Sequence, residues 1–336
     1  MGINLPVLWF LIIGFALMMY VVMDGFDLGI GILFPFVRTR ADRDVMVNSV
    51  APVWDGNETW LVFGGAAMFA AFPLAYGFLL SAIYIPLVVM LLGLIWRGVS
   101  FEFRFRADES AKPFWDKAFA CGSYVAGFAQ GVSLGTFING FHMTGHQEMP
   151  SALDCFTPFS IFTGVGVVVA YALLGSTWLV MKTEGRLHSR MRKLARRAAV
   201  AVLLAIALVS VWTPMTHAQV AARWFAAPNI LFFAPVPILV LLASWGLQRT
   251  LRTDNIHAAP FSLALLLIFL GYTGLTISVW PEIVPWEMSI WQAAAPPQSM
   301  GFALVGALTV IPFILVYTSW AYYVFRGKVQ VGEAYH

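Results

Sequence analysis

Charge is scarce in this 336-residue sequence: Asp, Glu, Lys and Arg together make up 11% of it. Soluble domains carry about 25%. With 60% hydrophobic residues and a mean hydropathy of +0.79, the chain is an integral membrane protein. The net charge of +3 is too small to suggest a nucleic-acid partner. Cysteine is nearly missing. Cys121 and Cys155 bracket one apolar segment, which puts them on opposite membrane faces and argues against a disulfide between them. None of the six His falls inside an apolar run. His142 and His146 have the i, i+4 spacing of helical metal ligands, but they sit among loop residues, so no metal site is expected. No phosphate loop, nucleotide fingerprint or nucleophile motif is present. No basic segment precedes the first apolar run, and that run outlasts a signal peptide's, so it is expected to stay in the mature protein. The apolar residues do not alternate with polar ones, which excludes barrel strands.

Long apolar runs are abundant. A helix needs about 20 apolar residues to cross a bilayer. Nine such spans are predicted: 7–36, 55–74, 79–101, 118–140, 157–181, 197–215, 227–248, 260–280 and 301–325. The loops between them are asymmetric. Of the 20 Lys and Arg, 19 fall on one side and only Arg223 on the other. The positive-inside rule then puts the N-terminus outside and the C-terminus in the cytoplasm. Aromatic residues, 13 Trp among them, suit interfacial belts and tight helix packing. GVGVVVAYALLGSTWLVMKTEG, Gly164 to Gly185, sits in the second half where IIGFALMMYVVMDGFDLGIG sits in the first. That weak echo suggests a pseudo-repeat of spans one to four and five to eight: two four-helix bundles plus one peripheral helix. The expected divisions are 1–156, 157–280 and 281–336.

Three polar clusters interrupt the apolar runs, all toward the predicted cytoplasmic side. VVMDGFDLGIG carries Asp24 and Asp27 three residues apart, on one helix face. Carboxylates in a span are costly and tend to be functional. Nearby Gly25, Gly29 and Gly31 allow another helix to approach closely. APVWDGNETW opens the second span with Asp55, Asn57 and Glu58 between Trp54 and Trp60. Asp55 and Glu58 have capping-box spacing, which does not exclude a proton-handling role. RGVSFEFRFR closes the third span. Its plain interpretation is an edge where Arg104 and Arg106 snorkel to water and Phe rings stay in lipid. Arg97 lies deeper and needs a partner, for which Asp24, Asp27 and Asp55 are candidates. Met18, Met19, Met23, Met68 and Met90 are read as core filler rather than haem ligands.

DGFDLGIG, PVWDGNETW and RGVSFEFRFR together resemble subunit II of the cytochrome bd-type quinol oxidases, most closely the cyanide-insensitive branch. The resemblance implies a bacterial inner-membrane complex that oxidises quinol and reduces dioxygen to water with cytoplasmic protons. It implies that haem-bearing subunit I carries two b-type haems and a d-type haem or its b-type substitute, and that this chain supplies no haem ligands. It further implies a role for this subunit in proton delivery, in some members an oxygen channel or a structural quinone, and in some a small single-span third subunit. By motif match Asp55 is the proton relay, while Glu102 and Arg106 mark the cytoplasmic mouth, with Glu58 beside them. Arg106 can act only electrostatically, since Arg keeps its proton. Trp60 and Trp54 are candidate oxygen-path lining. Asp24, Asp27, Asn57, Arg97 and Arg104 form the bracing polar cluster. Two other interpretations stand beside this one: a stand-alone secondary transporter using the acids for ion coupling, and a scaffold whose acids are caps and ion-pair partners.

Overall fold

The computed structural model describes residues 4–141, 153–253 and 257–330. His142, His146 and His336 lie outside the described residues. Thirteen α-helices are described: α1 (Leu5–Leu33), α2 (Arg40–Asn48), α3 (Trp54–Ala71), α4 (Pro73–Ala82), α5 (Tyr84–Arg106), α6 (Lys112–Asn139), α7 (Pro158–Lys182), α8 (Gly185–Thr216), α9 (Ala218–Phe225), α10 (Asn229–Phe233), α11 (Pro235–Thr250), α12 (Ala259–Val279) and α13 (Pro297–Val324). A short antiparallel hairpin, β1 (Glu282–Val284) and β2 (Met288–Ser289), lies between α12 and α13.

Proline and small polar residues punctuate this series. Asn4 caps α1, accepting a hydrogen bond from Val7 N–H at 3.4 Å, with Pro6 in the first turn. Thr157 and Ser160 form a reciprocal capping box at the start of α7. The α3–α4 and α10–α11 breaks fall at Pro73 and Pro235, which lack the N–H a continuous helix would need.

Among the described residues, seven spans are long and apolar enough to cross a membrane: Leu5–Phe36, Tyr84–Arg106, Pro158–Lys182, Gly185–Thr216, Asn229–Thr250, Ala259–Val279 and Pro297–Val324. At 18 and 28 residues, α3 and α6 are long enough to be counted with them, but they carry more polar side chains. One boundary moves substantially from the sequence expectation. The sixth span begins at Gly185, so most of the basic fifth loop is helix. Its Arg, Lys, Leu and Ala content explains this, since all four are good helix formers.

Contacts between helices fix their relative directions. Gly25 meets Tyr171, and Gly29 meets Gly175, so α1 and α7 run parallel. At that crossing a Cβ on Gly175 would fall 2.5 Å from the Gly29 carbonyl carbon, so only glycine lets the two backbones touch. Phe26 stacks on Trp178 one turn away, with ring centroids 4.4 Å apart. α6 runs antiparallel to α1, α5 and α7, and α3 antiparallel to α1. Contacts of α8, α11, α12 and α13 continue the pattern, so each of these nine long helices reverses the one before it. Those directions bring the C-terminal end of α1 together with the basic ends of its neighbours. Arg223, at the opposite end, donates to the carbonyls of Ile277, Ser278 and Trp280. The lone basic residue on that side therefore closes the C-terminus of α12. Both cysteines are free thiols, Cys121 exposed and Cys155 buried.

Candidate functional site

Near the basic end of the bundle, α1, α3 and α5 converge on one guanidinium. Arg97 reaches inward from α5 and is 2% exposed. Its Nη2 lies 3.0 Å from Asp24 Oδ1 on α1 and also pairs with Glu58 Oε1 on α3. Its guanidinium sits over the Trp54 ring, 5.8 Å from the centroid. Asp24 is completely buried, whereas the Glu58 side chain is 30% exposed. A line of carboxylates thus runs from the protein surface into the bundle, with one fixed cation between them. The coupling exists because α3 starts where α1 ends: their antiparallel packing sets Glu58 opposite Asp24.

Asp27 lies one turn further along α1 and is also buried. Its Oδ2 accepts a 2.7 Å hydrogen bond from Asn57 Nδ2. Asn57 in turn accepts from the Tyr322 hydroxyl of α13 at 2.9 Å, tying α13 to α1 through α3. Asp27 Oδ1 has no hydrogen-bond partner among the described residues. Among the described residues the cluster therefore holds three carboxylates, Asp24, Asp27 and Glu58, around one cation, Arg97. One guanidinium cannot balance three carboxylates in a poorly solvated site, so the cluster carries an excess of acidic groups over cations.

A polar chain also extends from Asp24 toward the middle of the bundle. The Tyr20 hydroxyl faces Asp24. That hydroxyl accepts from Gln130 Nε2 at 2.6 Å, and Gln130 Oε1 accepts from the Tyr171 hydroxyl at 2.5 Å. Through these contacts the cluster is braced by α6 and α7. Sequence reasoning missed Tyr20, Gln130, Tyr171 and Tyr322. A signal existed for one of them: Gln130 is the only amide side chain between Asp116 and Asn139, deep in an otherwise apolar span.

Two expectations are corrected here. Asp55 and Glu58 do not form a capping box: Val53 is the N-cap of α3, no side chain caps it, and Glu58 is committed to Arg97. The ion pair wins because a buried guanidinium offers Glu58 a charge-assisted bond, whereas a capping box offers only a neutral backbone N–H. Arg104 neither snorkels nor joins the Asp24 cluster. It is buried, with Nε 2.6 Å from Asp116 Oδ1 and Nη2 2.7 Å from Asp44 Oδ1. Asp116 also takes Arg43 at 2.7 Å, so this is a second charge cluster holding α2, α5 and α6 together.

The remaining candidates are more scattered. Asp55 is exposed in the first turn of α3, within electrostatic reach of Glu58. Glu102 and Arg106 are exposed on α5 and make no ion pair among the described residues. Trp60 is fully buried, edge-on to Phe15 with centroids 5.5 Å apart, and Trp54 packs on Phe101. Among the described residues no three His, Cys, Asp or Glu side chains converge to hold a metal ion. His188, buried in the first turn of α8, spends Nδ1 on the Val180 carbonyl at 3.0 Å and has its ring against His257.

The family model described as cytochrome bd terminal oxidase subunit II matches residues 5–325. The chain is similar to cytochrome bd-I ubiquinol oxidase subunit 2 of Escherichia coli K12, 29% identical over 96% of this chain and 94% of the relative. It is similar to cytochrome bd ubiquinol oxidase subunit 2 of Bacillus subtilis 168, 30% identical over 97% of each. A solved structure, the bd oxidase from Geobacillus thermodenitrificans, shares the fold with a TM-score of 0.81 at 15% identity, covering 96% of this chain and 99% of that one.

Proposed function

The chain belongs to the cytochrome bd terminal oxidase subunit II family, and from that premise we propose that it delivers protons to the oxygen-reducing centre of its complex. As a family member it is a membrane subunit of a quinol oxidase, an oxidoreductase of respiratory electron transport. The family implies a subunit I partner that carries the haems. The redox steps belong to that partner, and the residues of this chain handle protons and charge.

In this proposal Glu102 and Arg106 form the cytoplasmic mouth and Asp55 is the surface relay. Glu58 carries the proton inward, and Asp24 is the buried acceptor. The single observation that carries the reading is the pairing of one buried guanidinium with both Glu58 and Asp24. Arg97 keeps its proton, so it lowers the cost of negative charge without entering the relay. A proton can then pass between two carboxylates that share one cation. Asp27, held by Asn57, braces the site. The exposed stripe of α3, with Asp55, Thr59, Val62 and Phe69 at helical spacing, is the face this reading gives to subunit I. A carboxylate there is better covered by protein than left in lipid.

We further propose that the chain makes nine crossings, arranged as two four-helix bundles (1–156 and 157–280) followed by a peripheral helix (281–336). The N-terminus is outside and the C-terminus in the cytoplasm. Alternating helix directions and the 19-to-1 distribution of basic residues support it.

The test uses the assembled complex with its full haem spectrum. Glu58→Gln and Asp55→Asn remove titratable groups while keeping shape. Quinol oxidase turnover should fall about tenfold or more in each, with unchanged quinol KM and an altered solvent deuterium effect. Unchanged turnover in a haem-replete Glu58→Gln complex would sink the relay.

A further inference from the structure

We propose that the outward face of α8 near its N-terminus binds the headgroups of anionic phospholipids. Arg186, Arg190, Lys193 and Arg197 are exposed and spaced by four, three and four residues, so they form one stripe. The opposite face, with Leu187, Met191, Ala195 and Ala199, is buried against the bundle. Among the described residues none of the four basic side chains has an ion-pair partner. Between Cys155 and Thr253 the sequence has one acid, Glu184, and it is paired with Lys328 at 2.6 Å. An open hollow of about 490 Å³ lies on the stripe, lined by Gly185, Arg186, Ser189, Arg190 and Lys193. It presents guanidinium, ammonium and hydroxyl groups, the donor set that suits a phosphodiester.

The same stripe shows what faces it. Continuing along the helix by three, four, four and three residues, it becomes Val200, Leu204, Leu208 and Val211, each at least half exposed. One helix face thus changes from basic to apolar at Arg197, as a lipid-facing helix does where it crosses from headgroups into hydrocarbon. Helix length agrees. The 32 residues of α8 span roughly 48 Å, about 18 Å more than the hydrocarbon core, and the excess matches Gly185–Arg197. A protein occupant is less suited to this face. α8 packs on α7, α9 and α11, and α1 and α7 stand between it and α3. This last point rests on the proposal that subunit I docks on α3; the stripe itself does not.

The experiment uses the purified oxidase complex in nanodiscs of phosphatidylcholine with and without phosphatidylglycerol. Phosphatidylglycerol retained by the complex is counted by native mass spectrometry, and thermal unfolding is followed in parallel. A variant carrying Arg186→Gln, Arg190→Gln, Lys193→Gln and Arg197→Gln should retain the anionic lipid roughly fivefold less well per residue changed. It should also lose the phosphatidylglycerol-dependent rise in Tm and keep wild-type turnover in detergent. Arg38→Gln, at the same end of the molecule but off the stripe, should leave retention unchanged. Equal retention by the wild type and the stripe variant would overturn the proposal. So would an equal rise in Tm from inorganic phosphate, or a protein that co-purifies on the stripe and is lost from the variant. If the fourfold variant fails to assemble, Arg190→Gln and Lys193→Gln are read singly, and the absence of weakening in both overturns it.

Discussion

The helices α1, α3, α5 and α6 and the helices α7, α8, α11 and α12 bury different chemistry. The first set encloses Asp24, Asp27, Arg97, Arg104 and Asp116, all less than a tenth exposed. The second buries mainly hydroxyls, such as Ser176 and Thr177, which donate to Leu173 one turn back in their own helix. Its buried charge, Lys182, is spent on the carbonyls of Phe325 and Gly327 in the tail. A hydroxyl satisfied by its own helix costs little and performs no chemistry. A buried carboxylate needs a partner from another helix, and that dependence makes the first set fragile.

The sharpest way to break the comparison is Arg97→Gln. It leaves Asp24 and Glu58 without their cation and should cost about 3–5 kcal/mol, enough to lose assembled, haem-containing complex from the membrane. Adding Asp24→Asn and Glu58→Gln to the same chain should restore assembly but not turnover. Recovery of both activities would mean that the charges serve packing alone. In the neutral contact between the sets, Gly175→Val should cost about 3 kcal/mol, because its side chain meets the Gly29 backbone. Here the Tm should fall while turnover per assembled complex stays constant.

Lys182→Met should cost about 1–2 kcal/mol by freeing the tail, read as faster proteolysis after Phe325 with unchanged quinol oxidation. The smallest effect belongs to Glu184→Gln. The Lys328 ammonium holds the exposed Glu184 carboxyl below the usual carboxylate range. A lowered folded-state value stabilises above the unfolded value and is lost as pH falls through the lowered one. The wild type should therefore exceed Glu184→Gln by a barely measurable Tm margin at neutral pH. That margin should shrink with salt and close below about pH 4.

Part of this was legible in the sequence. Span positions followed from apolar runs, and the gathering of basic residues at one end followed from loop charges. DGFDLGIG marked Asp24 and Asp27 as needing partners, and the depth of Arg97 in its span marked it as needing an acid. The identity of the pairs was not legible. Arg97 and Glu58 are 39 residues apart, and Arg43 and Asp116 are 73 apart. Arg104 shows the limit most clearly: it alternates with Phe103 and Phe105 like an interfacial residue, yet α2 and α6 close over it. Asp55 shows the reverse, a motif position that packing leaves exposed.

The sequence by itself determined that this chain is a membrane protein, roughly where it crosses, and which segments carry charge against the solvent preference. Those properties depend on the transfer of each segment from water to lipid, which is local. Tertiary structure alone decided that Asp24 and Glu58 share Arg97 while Asp27 takes Asn57. A buried charge is settled by whichever partner the neighbouring helix brings within about 3 Å, and helix packing, not sequence spacing, sets that distance.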